Sequence, residues 1–347
     1  MRSPVEKSVL PNGVTVLTQP MDDRHTVSLG IWADTGRSHE DERIVGVAHF
    51  VEHLLFKGTP RRSARQIAEE IERRGGTIDA FTDKETTCYH ARVLAGEADS
   101  ALDVLSDLVL HAEPREEDLE LEREVIIQEI LDVEDDPEEY SLDYLLECYW
   151  PGHRLGWPVA GSVASVERIQ RDDILAFLRD FRRPGRLVVS AAGPVDHDHL
   201  VGRCREIFGS LEAVEDPPRV VDRPDFRPGL YVVRREIEQA HLTLGMPGLS
   251  LLDPRREAGE VLLAALGFVI MVALDRRGAR KGVLSASVAM GYATLRFPLD
   301  FLRATDLGAE SDRRYASLTP AQWSCIALFA LGAWALAHHL RRPSTPE

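Results

Sequence analysis

The stretch His49-Phe50-Val51-Glu52-His53 sits in an otherwise apolar segment that reads as a helix. On a helix, positions i and i+4 share a face and i+3 lies beside them, so both imidazoles and the carboxylate project to one side. Two neutral imidazoles suit zinc, and a carboxylate next to them can serve as a base. The five residues therefore supply half of a metal site.

The order is the inverse of the commoner His-Glu-x-x-His arrangement and corresponds to the inverzincin signature. A catalytic zinc needs a third protein ligand and an open fourth position for water. The run from Glu120 to Gln128 and Glu129 predicts a second helix, with Leu121, Val125, Ile126 and Ile130 at helical spacing. Glu122 and Glu129 lie two turns apart near one face of it. One of them can bind metal while the other supports it.

These residues resemble the M16 metallopeptidases, the insulinase, pitrilysin and mitochondrial processing peptidase family. That resemblance implies His49, His53 and Glu129 as zinc ligands, Glu52 as general base and Glu122 as an accessory active-site glutamate. Gly75-Gly76-Thr77-Ile78-Asp79-Ala80-Phe81-Thr82, followed by Glu85-Thr86-Thr87-Cys88-Tyr89, resembles the family's substrate-binding edge strand, with Asp79 where asparagine is usual. It implies peptide contacts at Asp79, Ala80, Phe81 and Thr82. His153-Arg154-Leu155-Gly156-Trp157-Pro158, Leu187 to Gly193, and Gln239 to Gly245 also follow the family pattern, so the likeness covers about residues 6 to 258.

Zinc held by two histidines and a carboxylate lowers the pKa of bound water toward about 7 and polarises a peptide carbonyl. Glu52 can take the proton and deliver it to the leaving amine. The stretch from Thr77 to Tyr89 would offer an extended peptide a strand to pair with.

Charge is unevenly spread. Glu113 to Glu147 holds sixteen acidic and two basic residues, whereas Val261 to the end holds six acidic and ten basic, within a whole-chain net charge of −16. The acidic run surrounds the expected third ligand, so either a field attracting basic peptides or a solvated acidic helix face follows. Nothing argues for nucleic acid. Cys88, Cys148, Cys204 and Cys325 show neither pairing nor metal spacing and point to a reducing compartment. The N-terminus lacks an apolar signal region, which places the peptidase part in the cytoplasm. Asp196-His197-Asp198-His199 could hold a metal, but its place after Gly193-Pro194 favours helix capping.

The expected fold class is α+β: an M16-type N-terminal domain with a mixed sheet packed by helices, a truncated second domain and a hydrophobic helical tail. Strands are expected at Ser8 to Gln19, Val27 to Thr35, Thr77 to Phe81, Thr86 to Val93 and Leu187 to Ala192. Helices are expected around the zinc motif and at Ala64 to Arg74, Glu97 to Val109, Arg115 to Leu131, Leu142 to Cys148, Arg171 to Phe181 and Asp198 to Phe208. The catalytic domain spans residues 1–214, a proline-rich linker 215–228, and the opening of a second M16 domain 229–260.

Beyond Glu260 the chain changes character. Val261 to Leu274, Gly282 to Leu302 and Ala321 to Ala337 are largely apolar, and Arg296 interrupts the second. Gly291 to Arg303 and Leu318 to Gln322 resemble the last helices of prolipoprotein diacylglyceryl transferase, although Asp300 stands where that family has glutamate. The expectation is membrane-spanning helices over 261–340, with the basic clusters Arg276 to Lys281 and Arg341-Arg342 facing the cytoplasm. A spanning first run would put the peptidase outside the cell, so either that run does not cross, or the join near residue 260 is a recent fusion or a sequence-assembly artefact of pieces not selected for each other. The leading expectation is a zinc endopeptidase acting on a peptide or small protein, with a second M16 subunit completing its clamshell. The alternatives are a non-catalytic, membrane-tethered metal- and peptide-binding protein and, on the tail alone, a diacylglyceryl transferase fragment.

Overall fold

The computed structural model describes residues 5–214 and 224–237, with isolated positions between 241 and 269. The chain divides into two units, Met1–Gly245 and Met246–Glu347, and the elements below all lie in the first.

Two strands form where one was expected. β1 (Glu6–Val9) and β2 (Thr15–Pro20) pair as an antiparallel hairpin. Between them Pro11 cannot donate to a ladder and Gly13 takes a φ of +103°, a conformation that costs glycine little. The turn is tied down by Asn12, whose Nδ2 donates to the carbonyls of Phe208 and Leu211.

β3 (Thr26–Ala33), β4 (Thr77–Thr82), β5 (Thr87–Leu94) and β6 (Leu187–Gly193) complete a six-stranded sheet of order β1-β2-β6-β3-β5-β4. Only β2 and β6 run parallel, so the sheet is mixed as expected. β4 pairs with β5 alone, in a register from Thr77 opposite Arg92 to Thr82 opposite Thr87, and is an edge strand.

Eight α-helices follow among the described residues of this unit: α1 (Val47–Leu55), α2 (Ala64–Glu72), α3 (Ala98–His111), α4 (Glu116–Asp135), α5 (Pro137–Tyr149), α6 (Val163–Val166), α7 (Arg171–Phe181) and α8 (His197–Phe208). Val27, Leu29, Ile31 and Ala33 of β3, with Tyr89, Ala91 and Val93 of β5, alternate onto the face that meets α1 and α3. Phe50, Val51, Leu54 and Leu55 fill that core from α1, and Leu102, Leu105 and Leu108 from α3. The opposite face, carrying Trp32, Cys88, His90 and Ser190, lines an open hollow of about 600 Å³.

The structure adds the buried side of α4 and corrects the start of α5. On α4 the buried residues are Asp118, Leu119, Glu122, Ile126 and Ile130, while Leu121 and Val125 are 61% and 44% exposed. The buried side thus includes Glu122, held there by ionic partners. Residues 229–237, within the expected opening of a second domain, have no regular secondary structure. They run along α5: Arg227 N–H donates to the Tyr149 carbonyl, Tyr231 hydroxyl to the Cys148 carbonyl, and the Arg235 guanidinium lies 4.1 Å from the Tyr140 ring centroid. α5 also starts earlier than expected, at Pro137, because Asp136 caps it by accepting from the N–H groups of Glu138 and Glu139. The linker over 215–223 and most of the tail over 261–340 lie outside the described residues. Among those described, no helix is long and apolar enough to cross a membrane.

Candidate metal centre

α1 buries Val47, Ala48, Phe50, Val51, Leu54 and Leu55, which leaves His49, Glu52 and His53 on its remaining side. α4 packs against α1 and brings Glu129 to the two histidines. His49 Nε2 and His53 Nε2 are 3.3 Å apart, and Glu129 Oε2 lies 3.5 Å from His53 Nε2 and 3.8 Å from His49 Nε2. Ligand atoms arranged tetrahedrally about a zinc ion at roughly 2.1 Å are separated by about 3.4 Å, so this triangle has the right size. It is the only such group of metal-ligating side chains among the described residues.

The electrostatics point the same way. Burial, and then the neighbouring His53, push the His49 imidazole down to about 4, so it is neutral and offers a lone pair at neutral pH. Two Nε2 atoms and a carboxylate oxygen at this separation present electron-rich atoms to one point, an arrangement that a cation stabilises.

His53 is oriented from behind. Its Nδ1 lies 3.1 Å from Glu122 Oε2, and the other Glu122 oxygen pairs with the Lys57 ammonium. With Nδ1–H donating to Glu122, the lone pair stays on Nε2 and faces the metal point. The expected accessory glutamate thus touches the nitrogen remote from that point. Lys57 was not anticipated, yet it lies four residues after His53, on the same helical spacing that links the histidines. The Nδ1 of His49, in contrast, is buried without a hydrogen-bond partner among the described residues.

Glu52 is also buried, and burial raises its carboxyl pKa; a hydrogen bond with Thr82 and the attraction of His53 oppose the rise, while Asp79 and Glu129 add to it. One of its oxygens has no partner among the described residues. A carboxylate whose proton affinity is raised, with a free oxygen, can accept and return a proton.

The four residues expected to bind substrate separate by strand alternation. Thr82 reaches Glu52, and Ala80 packs on the core. Phe81 points to the open face of the sheet, against Trp32 with centroids 5.6 Å apart, and the exposed Asp79 accepts from the Ala80 N–H. The Asp196 to His199 segment disperses as expected of a cap: Asp196 accepts from the His199 N–H, His197 contacts Ser8 and Thr18, and His199 contacts Asp99.

Comparison with known proteins gives the family. The family model "Insulinase (Peptidase family M16)" matches residues 15–163, and "Peptidase M16 inactive domain" matches 168–288. A third, "Prolipoprotein diacylglyceryl transferase", matches 258–338 and covers the resemblance of the tail. An uncharacterized zinc protease of Streptomyces coelicolor is 40% identical over 270 residues, covering 76% of this chain and 59% of that protein. The β subunit of a probable mitochondrial-processing peptidase of Arabidopsis thaliana is 34% identical over 266 residues, covering 75% and 50%. An M16-like peptidase of Alicyclobacillus acidocaldarius superposes with a TM-score of 0.58 at 25% identity, over 65% of this chain and 54% of that one. The chain spans about 60% of the length of the curated relatives it matches. Over residues 15–288, this chain belongs to the M16 peptidase family.

Proposed function

We propose that the peptidase part of this chain is a zinc-dependent endopeptidase. The observation that carries the reading is the convergence of His49, His53 and Glu129 at 3.3–3.8 Å with Glu52 on the same side of α1. These three residues would hold the zinc, which when bound polarises a peptide carbonyl and acidifies water. Glu52 takes the water's proton and delivers it to the departing amine. Thr82 holds one end of Glu52, and the Lys57–Glu122 pair keeps His53 in the metal-binding tautomer. The free edge of β4 pairs with an extended peptide, which selects backbone more than side chains.

The acidic surface of α4 and α5 favours basic peptides. A second M16 subunit is proposed to complete the enclosure around the substrate, since one relative is named as the β subunit of a processing peptidase. A cytoplasmic peptidase attached to the membrane through residues 261–340 is retained on the sequence argument alone. The second reading is a protein that holds metal and peptide without turnover.

The test is cleavage of a fluorogenic peptide library by the purified chain, with and without chelator. Expected is zinc-dependent cleavage, lost in Glu52→Gln by about 10² to 10⁴-fold with zinc content unchanged. Wild-type-like cleavage by Glu52→Gln would refute its role as base, and zinc binding without any cleavage would establish the second reading.

A further inference from the structure

The segment Gly36-Arg37-Ser38-His39-Glu40 lies outside the metal site and has no part in the proposed chemistry, yet it carries two deeply buried charges of opposite sign. Arg37 is 0% exposed and Glu40 2%. Their positions relate to how α1 begins. Its N-cap is Gly46, at φ +97°, and it has no side chain to satisfy the first N–H groups of the helix. Glu40 does this from a distance: its Oε2 accepts from the Gly46 N–H and its Oε1 from the Ala48 N–H, both at 2.8 Å.

Arg37 holds Glu40 in place. Its Nη1 lies 2.9 Å from Glu40 Oε2, its Nε donates to the Pro158 carbonyl at 3.2 Å, and its guanidinium stacks 4.5 Å from the Trp157 ring centroid. Arg154 donates to the Ser38 carbonyl, and the Lys84 ammonium to the Trp157 carbonyl. The helix entry is closed from the same side, since a Cβ on Gly46 would meet the Ala160 carbonyl oxygen at 2.4 Å. A buried ion pair adds little stability over apolar packing of the same volume, so its use here calls for a geometric reason. That reason is adjacency: Ala48, whose N–H Glu40 holds, precedes His49 directly.

We propose that Arg37 and Glu40, braced by Trp157, are positioning residues that set where α1 delivers His49 to the metal. The proposal rests on the zinc-site reading above. It also gives a role to the His153 to Pro158 segment, whose residues face this clamp.

The test uses Co²⁺ in place of zinc on the full chain, read by dissociation constant and by the visible absorption bands that report ligand geometry, beside the melting temperature of the metal-free protein. Glu40→Gln is expected to weaken Co²⁺ about tenfold or more and to change the band intensities, as loss of an orienting contact does. Asn12→Ala, which removes the comparable link at the end of α8, is expected to lower the melting temperature alone. Wild-type affinity and bands in Glu40→Gln would overturn the proposal. Should that variant not fold, Trp157→Leu keeps the carboxylate in place and loosens Arg37; a weaker shift in the same direction supports the clamp, and wild-type values overturn it. A wild-type chain that binds no Co²⁺ overturns the zinc-site reading itself, together with this one.

Discussion

α1 and α4 both send ligands to one point, but they are held by opposite means. α1 buries six of its nine residues, all apolar, and its histidines stand on a helix locked by core packing. α4 buries five of twenty, two of them acidic. Besides Leu119, Ile126 and Ile130 in the core, it is held by charge: Lys57 pairs with Glu122, and Arg123 reaches the carbonyls of Val166 and Ile169. The ligands differ accordingly. The side chains of His49 and His53 are 17% and 18% exposed, that of Glu129 44%, so the carboxylate forms the wet side of the site. Apolar packing fixes a backbone, while ionic contacts aim individual side chains.

Three substitutions sharpen this contrast. The largest effect is expected from Leu54→Ala on α1, which empties a fully packed position and should cost about 2–5 kcal/mol in chemical denaturation. A smaller loss would mean that α1 is not held by the core. Next comes Glu122→Gln on α4. It should weaken zinc by about 10 to 100-fold in a chelator competition through loss of the charge that orients His53. An unchanged affinity would leave the Lys57–Glu122 pair with no bearing on the metal. The smallest effect is expected from Leu121→Ala, on the exposed side of α4, within about 0.5 kcal/mol. A larger cost there would restore the apolar stripe first read from the sequence and undo the assignment of the buried side to Leu119, Glu122, Ile126 and Ile130.

The sheet strands were legible because alternating burial in β3, β5 and β6 leaves a period-two pattern in the chain. The β1–β2 turn was not read, although Pro11-Asn12-Gly13 carried the signal. α6 escaped because four residues are too short for any periodicity to register. The buried side of α4 was not legible, since hydrophobicity cannot reveal that a glutamate is buried on a lysine.

For the site, local spacing was enough to nominate His49, Glu52 and His53, because neighbours one helical turn apart share a face whatever the rest of the protein does. Membership of the M16 family and the mixed-sheet class were legible on the same footing, from short runs of residues. Tertiary structure alone decided that Glu122 meets Nδ1 of His53, for it is 69 positions away. It likewise decided that Arg37 would lie against Pro158, 121 positions on, and so brace the start of the metal-bearing helix. Contacts of that range arise when the core brings remote segments together, and no periodicity within the chain encodes them.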